Sequence, residues 1–368
     1  MIPIAVPDLR GREAQYLVQC VTDNWVSSAG PFVSELEKQV AALAGRVHGI
    51  ACVNGTAALQ LSLLAIGLRP GEIVILPDWT FAATANAIVH AGGTPLFVDI
   101  LQSDWSIDPT AVDAAIANSK GNVRAIIAVD VLGNLPDSAP LRAVAQRHGV
   151  VLIEDAACAL GARKDGVWGG GYGDLAAISF NGNKTVTAGG GGMVVTDNAD
   201  WAQEVRHLST QARTGADYRH DRVGFNFRMT NVNAAIGLAQ VERIDEMLAA
   251  KRRIAAAYKT ALQRRNDIIF MPVEDFAQSG CWLSVVRTAS PVANASLSAH
   301  LRRSGIDARS FWCALSDQPP YSVYASPANP VAHGLNDCTI CLPSSSHLSE
   351  ADLNTVLAAL AAWQGPSI

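Results

Sequence analysis

AISFNGNKTVTAGGGGMV, residues 177–194, joins a short apolar run to a lysine and then to a row of glycines. The run from Ala176 to Phe180 reads as a buried strand that ends in a polar turn carrying Lys184. A lysine held there, close to backbone and partly out of water, gives up its proton more easily and becomes a nucleophile. Gly189 to Gly192 let the chain pass tightly around whatever the lysine holds. A solvated loop lysine is the plain alternative. The choice rests on what the rest of the chain brings to it.

Upstream, short apolar runs alternate with helical patterns. Strands are expected at Ile50–Val53, Ile73–Leu76, Leu96–Asp99, Ala125–Val129 and Val150–Glu154, with helices at Ala82–Ala91, Pro109–Ala117 and Ala139–His148. That alternation predicts an α/β fold, a mostly parallel sheet flanked by helices, in which ligands bind at the carboxyl ends of the strands. Gly55, Thr56, Trp79, Phe81, Asp155, Ser179 and Lys184 all follow strand ends. The strand running into Asn54-Gly55-Thr56-Ala57 suits a phosphate cup, with N–H groups and a helix dipole aimed at an anion, and equally an ordinary capped helix start. Asp155 lies between Val151-Leu152-Ile153 and Ala156-Ala157-Cys158, so its carboxylate needs a cationic partner.

Helices are also expected at Gly11–Asp23, Phe32–Ala44 and Ala199–Leu208, and one long helix from Asn231 to Leu262. The segment Asn24–Pro31, with Trp25 and Ser27, either covers a ligand or turns a corner. Beyond Asp267 the elements shorten to strands at Ile268–Phe270 and Trp282–Val286, helices at Leu297–Ser304 and Glu350–Trp363, and a loop from Ser316 to Pro330. This divides the chain into a large domain, 1–250, and a smaller C-terminal α+β domain, 251–368.

With 49% hydrophobic and 17% charged residues among 368, the chain can bury a large core. A net charge of -5 and the absence of a basic run argue against nucleic acid or a membrane surface and in favour of small ligands. No apolar stretch reaches the roughly 18 residues of a membrane span, and MIPIAVPDLRGRE lacks a signal pattern, so a cytoplasmic protein is expected. The seven scattered cysteines suit reduced thiols, and Cys338-Thr339-Ile340-Cys341 reads as buried strand residues, not a metal site.

An amine, a carboxylate, an aromatic face and an anion cup are the groups pyridoxal phosphate requires. NGTAAL (54–59), PDWTFAATANAI (77–88), IEDAACALGA (153–162), SFNGNKTVTAGGGGM (179–193) and GFNFRMTNVNAAIGLAQVERID (224–245) resemble the successive signatures of the sugar-nucleotide aminotransferases of the DegT/DnrJ type. The likeness runs from Trp25 to LPSSSHLSEADL (342–353) and implies a fold-type-I pyridoxal phosphate enzyme. It implies that Lys184 forms the Schiff base and shuttles protons, Asp155 pairs with the pyridine nitrogen, and Phe81 packs on the ring. Gly55, Thr56 and Ser179 would hold the phosphate, and Asn226 would reach it from a neighbouring subunit, hence a homodimer with shared active sites.

LSTQAR (208–213), YRH (218–220) and the SFNGNK form of the lysine loop look most like enzymes that aminate UDP-linked 4-keto-6-deoxy-N-acetylhexosamines. GFNFRMTN is equally similar to that of perosamine-forming enzymes acting on GDP-4-keto-6-deoxymannose. With glutamate as amino donor, Trp25, Ser27, Arg213, His220, Arg309 and Tyr321 are candidates for the nucleotide sugar; His220 is as readily a structural surface histidine. Two positions depart from the family pattern. Cys158 stands where Glu, Gln or His approaches the ring hydroxyl, and a thiol is a poor donor. Ser316 stands where a His is usual between Arg309 and Tyr321. The competing readings are a cofactor-binding protein without transaminase activity and a sugar dehydratase, in which relatives carry histidine in place of Lys184.

Overall fold

The computed structural model describes residues 1–215, 217–324 and 328–365; part of the expected Ser316–Pro330 loop, 325–327, lies outside them. The main sheet is built from β1 (His48–Cys52), β2 (Ile73–Pro77), β3 (Thr94–Val98), β4 (Val123–Val129) and β5 (Val151–Asp155). A small ribbon, β6 (Arg163–Lys164) with β7 (Val167–Trp168), precedes the last two members, β8 (Leu175–Ser179) and β9 (Gly192–Thr196). The seven strands lie in the order β1-β9-β8-β5-β4-β2-β3. β9 is antiparallel to both neighbours and the other pairs are parallel.

The expected elements are present, most of them shifted by a residue or two at their ends; the helix expected at Leu297–Ser304 begins six residues earlier, at Pro291. Helices α1 (Glu13–Thr22), α2 (Pro31–Leu43), α3 (Gly55–Ala65), α4 (Ala82–His90), α5 (Pro109–Asn118), α6 (Ser138–His148) and α7 (Ala199–Ser209) cover both faces of the sheet. The strands read as continuous apolar runs because each face is buried. On β4, Ala125 and Ile127 join the core that includes Leu59, Ile88 and Val205, while Ile126 and Ala128 join the one that includes Val112 and Leu141.

Two expectations are corrected. The glycine run does not close around the lysine: its last member, Gly192, begins β9, where a Cβ would stand 2.4 Å from the Asn54 carbonyl carbon. Gly192 therefore admits the turn after β1, and the glycine run hides the start of this added strand because glycine has no side chain to carry a strand pattern. The long helix is two, α8 (Asn231–Val241) and α9 (Ile244–Leu262), parted at Arg243, which leaves helical geometry with φ -118° and ψ 13°. Arg243 pairs with Asp8 at 3.3 Å and with Glu246 at 2.9 Å. Hydrogen bonds from Arg10, and then from Arg243, hold the buried Asp8 carboxyl well below the usual carboxylate range despite its burial. An alanine-rich pattern shows helix on both sides of this break but not the distant acid associated with it.

The C-terminal sheet contains β10 (Ile268–Phe270), β11 (Ser284–Thr288), β12 (Arg309–Ser310) and β13 (Thr339–Leu342), antiparallel in the order β10-β11-β13-β12. Around it lie α10 (Pro291–Arg303), the single turn α11 (Pro330–His333) and α12 (Glu350–Ala362). Residue 250 falls inside α9. Ile244, Met247 and Leu248 pack into the core of the main sheet, and Ile254, Ala255, Tyr258 and Leu262 into that of the second. The chain start also joins the second core: Ile2 pairs with Ile306, and the Ser344 N–H donates to the Ile4 carbonyl at 2.7 Å. All seven cysteines are unpaired.

Candidate active site

A cavity of about 360 Å³ opens at the carboxyl ends of the parallel strands. Its lining includes Gly55, Thr56, Phe81, Asp155, Cys158, Ser179 and Lys184. Seven of the predicted site residues, drawn from four stretches of sequence, thus meet in one place.

Each is placed by its element. Asn54 caps α3 by accepting the Ala57 N–H at 2.8 Å, leaving Gly55 and Thr56 in the first turn, where the helix supplies no acceptor for their N–H groups. A Cβ on Gly55 would stand 2.9 Å from the Ser179 Cβ, so only glycine lets the start of α3 approach the end of β8. Asp155 closes β5. Its Oδ2 accepts from Thr84 Oγ1 at 2.8 Å, and its Oδ1 from the Ala157 N–H at 3.2 Å. Burial pushes its carboxyl above the ordinary value; the Thr84 and Ala157 hydrogen bonds and the charge of Lys184 oppose this. Lys184 Nζ donates to Cys158 Sγ at 3.3 Å and stands 3.7 Å over the centre of the Trp282 ring. Burial raises the Cys158 thiol, which keeps it a neutral neighbour to the amine.

These groups fit pyridoxal phosphate. A desolvated carboxylate whose side-chain partner is a neutral hydroxyl suits a protonated ring nitrogen, and open N–H groups with Thr56 and Ser179 suit a phosphate. Phe81, 60% exposed at the cavity wall, offers a face for a flat ring.

Sequence reasoning missed several neighbours. Thr84, in the first turn of α4, orients Asp155 and is itself 3.1 Å from Thr80 Oγ1; its place in PDWTFAATANAI was a usable signal. Trp282, Leu283, Phe311 and Trp312 form the opposite wall; Phe311 and Trp312 stand inside the Arg309–Tyr321 pattern, whereas no motif announces Trp282 and Leu283.

Other predicted residues lie elsewhere. Arg213, His220 and Asn226 line a second, open cavity of about 1060 Å³ together with Tyr218 and Arg228. There His220 Nδ1 is 2.7 Å from the Gln211 carbonyl, and Arg213 pairs with His220 through a backbone bridge. Trp25 is 47% exposed between α1 and α2; its carbonyl and that of Ser27 accept hydrogen bonds from Asn231. Arg309 is exposed and paired with Asp307 at 3.0 Å. Tyr321 lies in the core against Phe97, its hydroxyl donating to Asn86 at 2.7 Å. Ser316 binds Asp78 through both its N–H, at 2.8 Å, and its hydroxyl, at 2.6 Å. His333 Nε2 stands 3.2 Å from the same carboxylate, so an imidazole reaches this spot from α11.

A seven-stranded, mostly parallel sheet with an amine, a buried carboxylate and a phosphate cup at its strand ends defines a fold-type-I pyridoxal phosphate enzyme. The chain belongs to the DegT/DnrJ/EryC1/StrS aminotransferase family, whose pattern matches residues 7–361. It is a pyridoxal phosphate-dependent aminotransferase of the sugar-nucleotide class. It is 38% identical to the GDP-perosamine synthase of Caulobacter vibrioides over 98% of this chain and 97% of that one. It is 38% identical to a UDP-N-acetyl-3-dehydro-alpha-D-glucosamine 3-aminotransferase of Acidithiobacillus ferrooxidans over 61% of this chain and 60% of that one. A crystal structure of a family aminotransferase from Brucella abortus superposes with TM-score 0.89 at 30% identity, covering 95% of this chain and 94% of the other. Among the described residues no helix is long and apolar enough to cross a membrane.

Proposed function

We propose that this enzyme moves an amino group from glutamate to the 4-keto carbon of a nucleotide-linked 4-keto-6-deoxy sugar, in the service of polysaccharide biosynthesis. The observation that carries the reading is the meeting of Lys184, Asp155 and the Gly55–Thr56–Ser179 cup in one cavity. Bound there, pyridoxal phosphate supplies an aldehyde for amines and a protonated ring that accepts the electrons released at carbon. Lys184 holds the reacting centre and moves the proton. Asp155, steadied by Thr84, keeps the ring nitrogen protonated, and Gly55, Thr56 and Ser179 fix the phosphate. The wall of Phe81, Trp282, Phe311 and Trp312 excludes water from the reacting face.

Among the described residues Lys184 is the one cation in the lining of that cavity, whereas the substrates bring a diphosphate and carboxylates. Arg213, Arg228 and His220 gather with Asn226 on an exposed face of the same chain. A cytoplasmic homodimer in which one subunit's Asn226 face completes its partner's cavity reconciles the two, and is part of the proposal.

For the nucleotide, the whole-length relatives shift the weight to GDP-4-keto-6-deoxymannose, since GDP-perosamine synthases of three organisms match over 94% or more of this chain. The second reading, a UDP-linked 4-keto-6-deoxy-N-acetylhexosamine, is favoured by the LSTQAR and YRH segments. Incubation with glutamate and a panel of GDP-, UDP- and dTDP-4-keto-6-deoxysugars, followed by mass spectrometry, decides between them. Amination of the GDP sugar alone is expected; amination of none overturns the function.

A further inference from the structure

Lys184 and Lys251 both bear on one tryptophan. The ring of Trp282 lies under the Lys184 amine at 3.7 Å, and the carbonyl of Trp282 accepts from Lys251 Nζ at 2.9 Å. The indole is held on its other sides too. Its ring N–H donates to the Asn183 carbonyl at 2.8 Å and its backbone N–H to that of Leu132 at 2.9 Å, and Phe311 and Trp312 pack against it. Because Asn183 precedes Lys184, the ring is bonded to the same turn that carries the amine. Lys184 and its aromatic support are therefore one unit.

Lys251 is an odd residue to find in that position. It is 5% exposed, and its two hydrogen-bond partners are carbonyls, those of Trp282 and, at 2.8 Å, Ser344. Burial pulls its ammonium down to about 8. A cation bound by neutral oxygens in a protein interior costs stability that an apolar residue of similar length would not. What the cost secures is the junction it makes, between the strand entry that carries Trp282 and the segment after β13.

An amine that must let go of carbon and take up a proton leaves as a cation. A carboxylate beside it would hold that cation tightly and slow its return. An aromatic face in a desolvated site holds it in place without neutralising it. The thiol of Cys158, also neutral, completes the contact.

We propose that the face of Trp282 is the seat of the Lys184 amine whenever that amine is not bonded to carbon, and that Lys251 pins the seat in position. Trp282 is then a further catalytic residue and Lys251 a positioning residue acting through it. The inference rests on Lys184 being the reacting amine.

The test uses the full chain loaded with pyridoxamine phosphate, in which the lysine amine is unbonded. Limiting acetylation by an N-hydroxysuccinimide ester is followed at Lys184 by peptide mass spectrometry, with the exposed Lys38 and Lys120 as internal references. Trp282→Leu is expected to raise relative labelling of Lys184 about tenfold, and Trp282→Phe about threefold. Lys251→Met should approach the leucine variant, and Lys251→Arg should restore the original rate. Fluorinated tryptophans placed at 282 keep the shape of the ring while draining charge from its face; labelling that climbs with each fluorine supports the seat even if Trp282→Leu fails to fold. A flat response across that series overturns the role of Trp282, and wild-type labelling in Lys251→Met overturns that of Lys251. Lys184→Ala is run in parallel. If it keeps the cofactor's visible band and turnover, the assignment of Lys184 fails whatever the tryptophan variants do.

Discussion

The two walls of the Lys184 cavity are made of different material. One consists of strand ends and a helix start from the main sheet and carries Gly55, Thr56, Asp155 and Ser179. The other consists of Trp282, Phe311 and Trp312, which arrive from the C-terminal sheet and carry no charge. The polar wall supplies groups that bind and ionise; the aromatic wall supplies an environment in which those groups act at full strength, since a low dielectric magnifies each interaction. Loss of a group on the first wall should therefore remove chemistry, and loss on the second should reshape it.

The largest expected effect belongs to Lys184 itself, which the first wall aims at the second. Lys184→Ala is expected to lower turnover by about a thousandfold or more and to abolish the visible band of the bound cofactor, both read in a spectrophotometer. Asp155→Asn comes next, with turnover lower by about a hundredfold or more. It sharpens the contrast because stability moves the other way. Burial raises the folded-state pKa of Asp155, so ionisation at neutral pH opposes folding, and the contribution is favourable only at pH below the carboxyl's folded value. The cofactor-free asparagine variant should melt higher than wild type at pH 7. That advantage should fade as pH falls towards about 4, where the wild-type acid is protonated in the unfolded chain as well.

Behind the aromatic wall the same logic applies to a base. Burial holds Lys251 at about 8 against the ordinary lysine value of 10.5, so its charge opposes folding below pH 8, and wild type recovers stability as pH rises from there towards 10.5. The stability difference between wild type and Lys251→Met should shift in favour of wild type by about 3 kcal/mol across that window, measured by urea unfolding at each pH. A pH-independent difference would mean that Lys251 is solvated and that this wall is wetter than its lining suggests. The smallest effect is expected for Thr84→Val, which removes one hydrogen bond from Asp155 and should lower turnover about tenfold with the band retained.

The contrast also separates what the sequence discloses from what it hides. The polar wall is legible because each part is local: an apolar strand, a turn and a helix start fall within a dozen residues, and the chemistry sits at the junction, as at Ile50–Thr56 or Val151–Asp155. The aromatic wall is built from positions roughly a hundred residues from Lys184, and a tryptophan in a strand entry looks the same whether it faces a core or a cavity. Distance hides the break between α8 and α9 for the same reason. Its anchor, Asp8, is 235 positions from Arg243, and no helical period registers it. The sequence placed Gly55, Thr56, Phe81, Asp155, Cys158, Ser179 and Lys184 together, whereas Arg309 and Tyr321, chosen from a loop pattern, turned out to be paired with Asp307 and packed against Phe97.

The opening residues of the chain lie along the C-terminal sheet, with Ile2 beside Ile306 and the Ile4 carbonyl bound to Ser344. During translation, then, Ile2 and Ile4 wait for these partners while about three hundred further residues are made. A tag fused directly before Ile2 loads this late-closing seam.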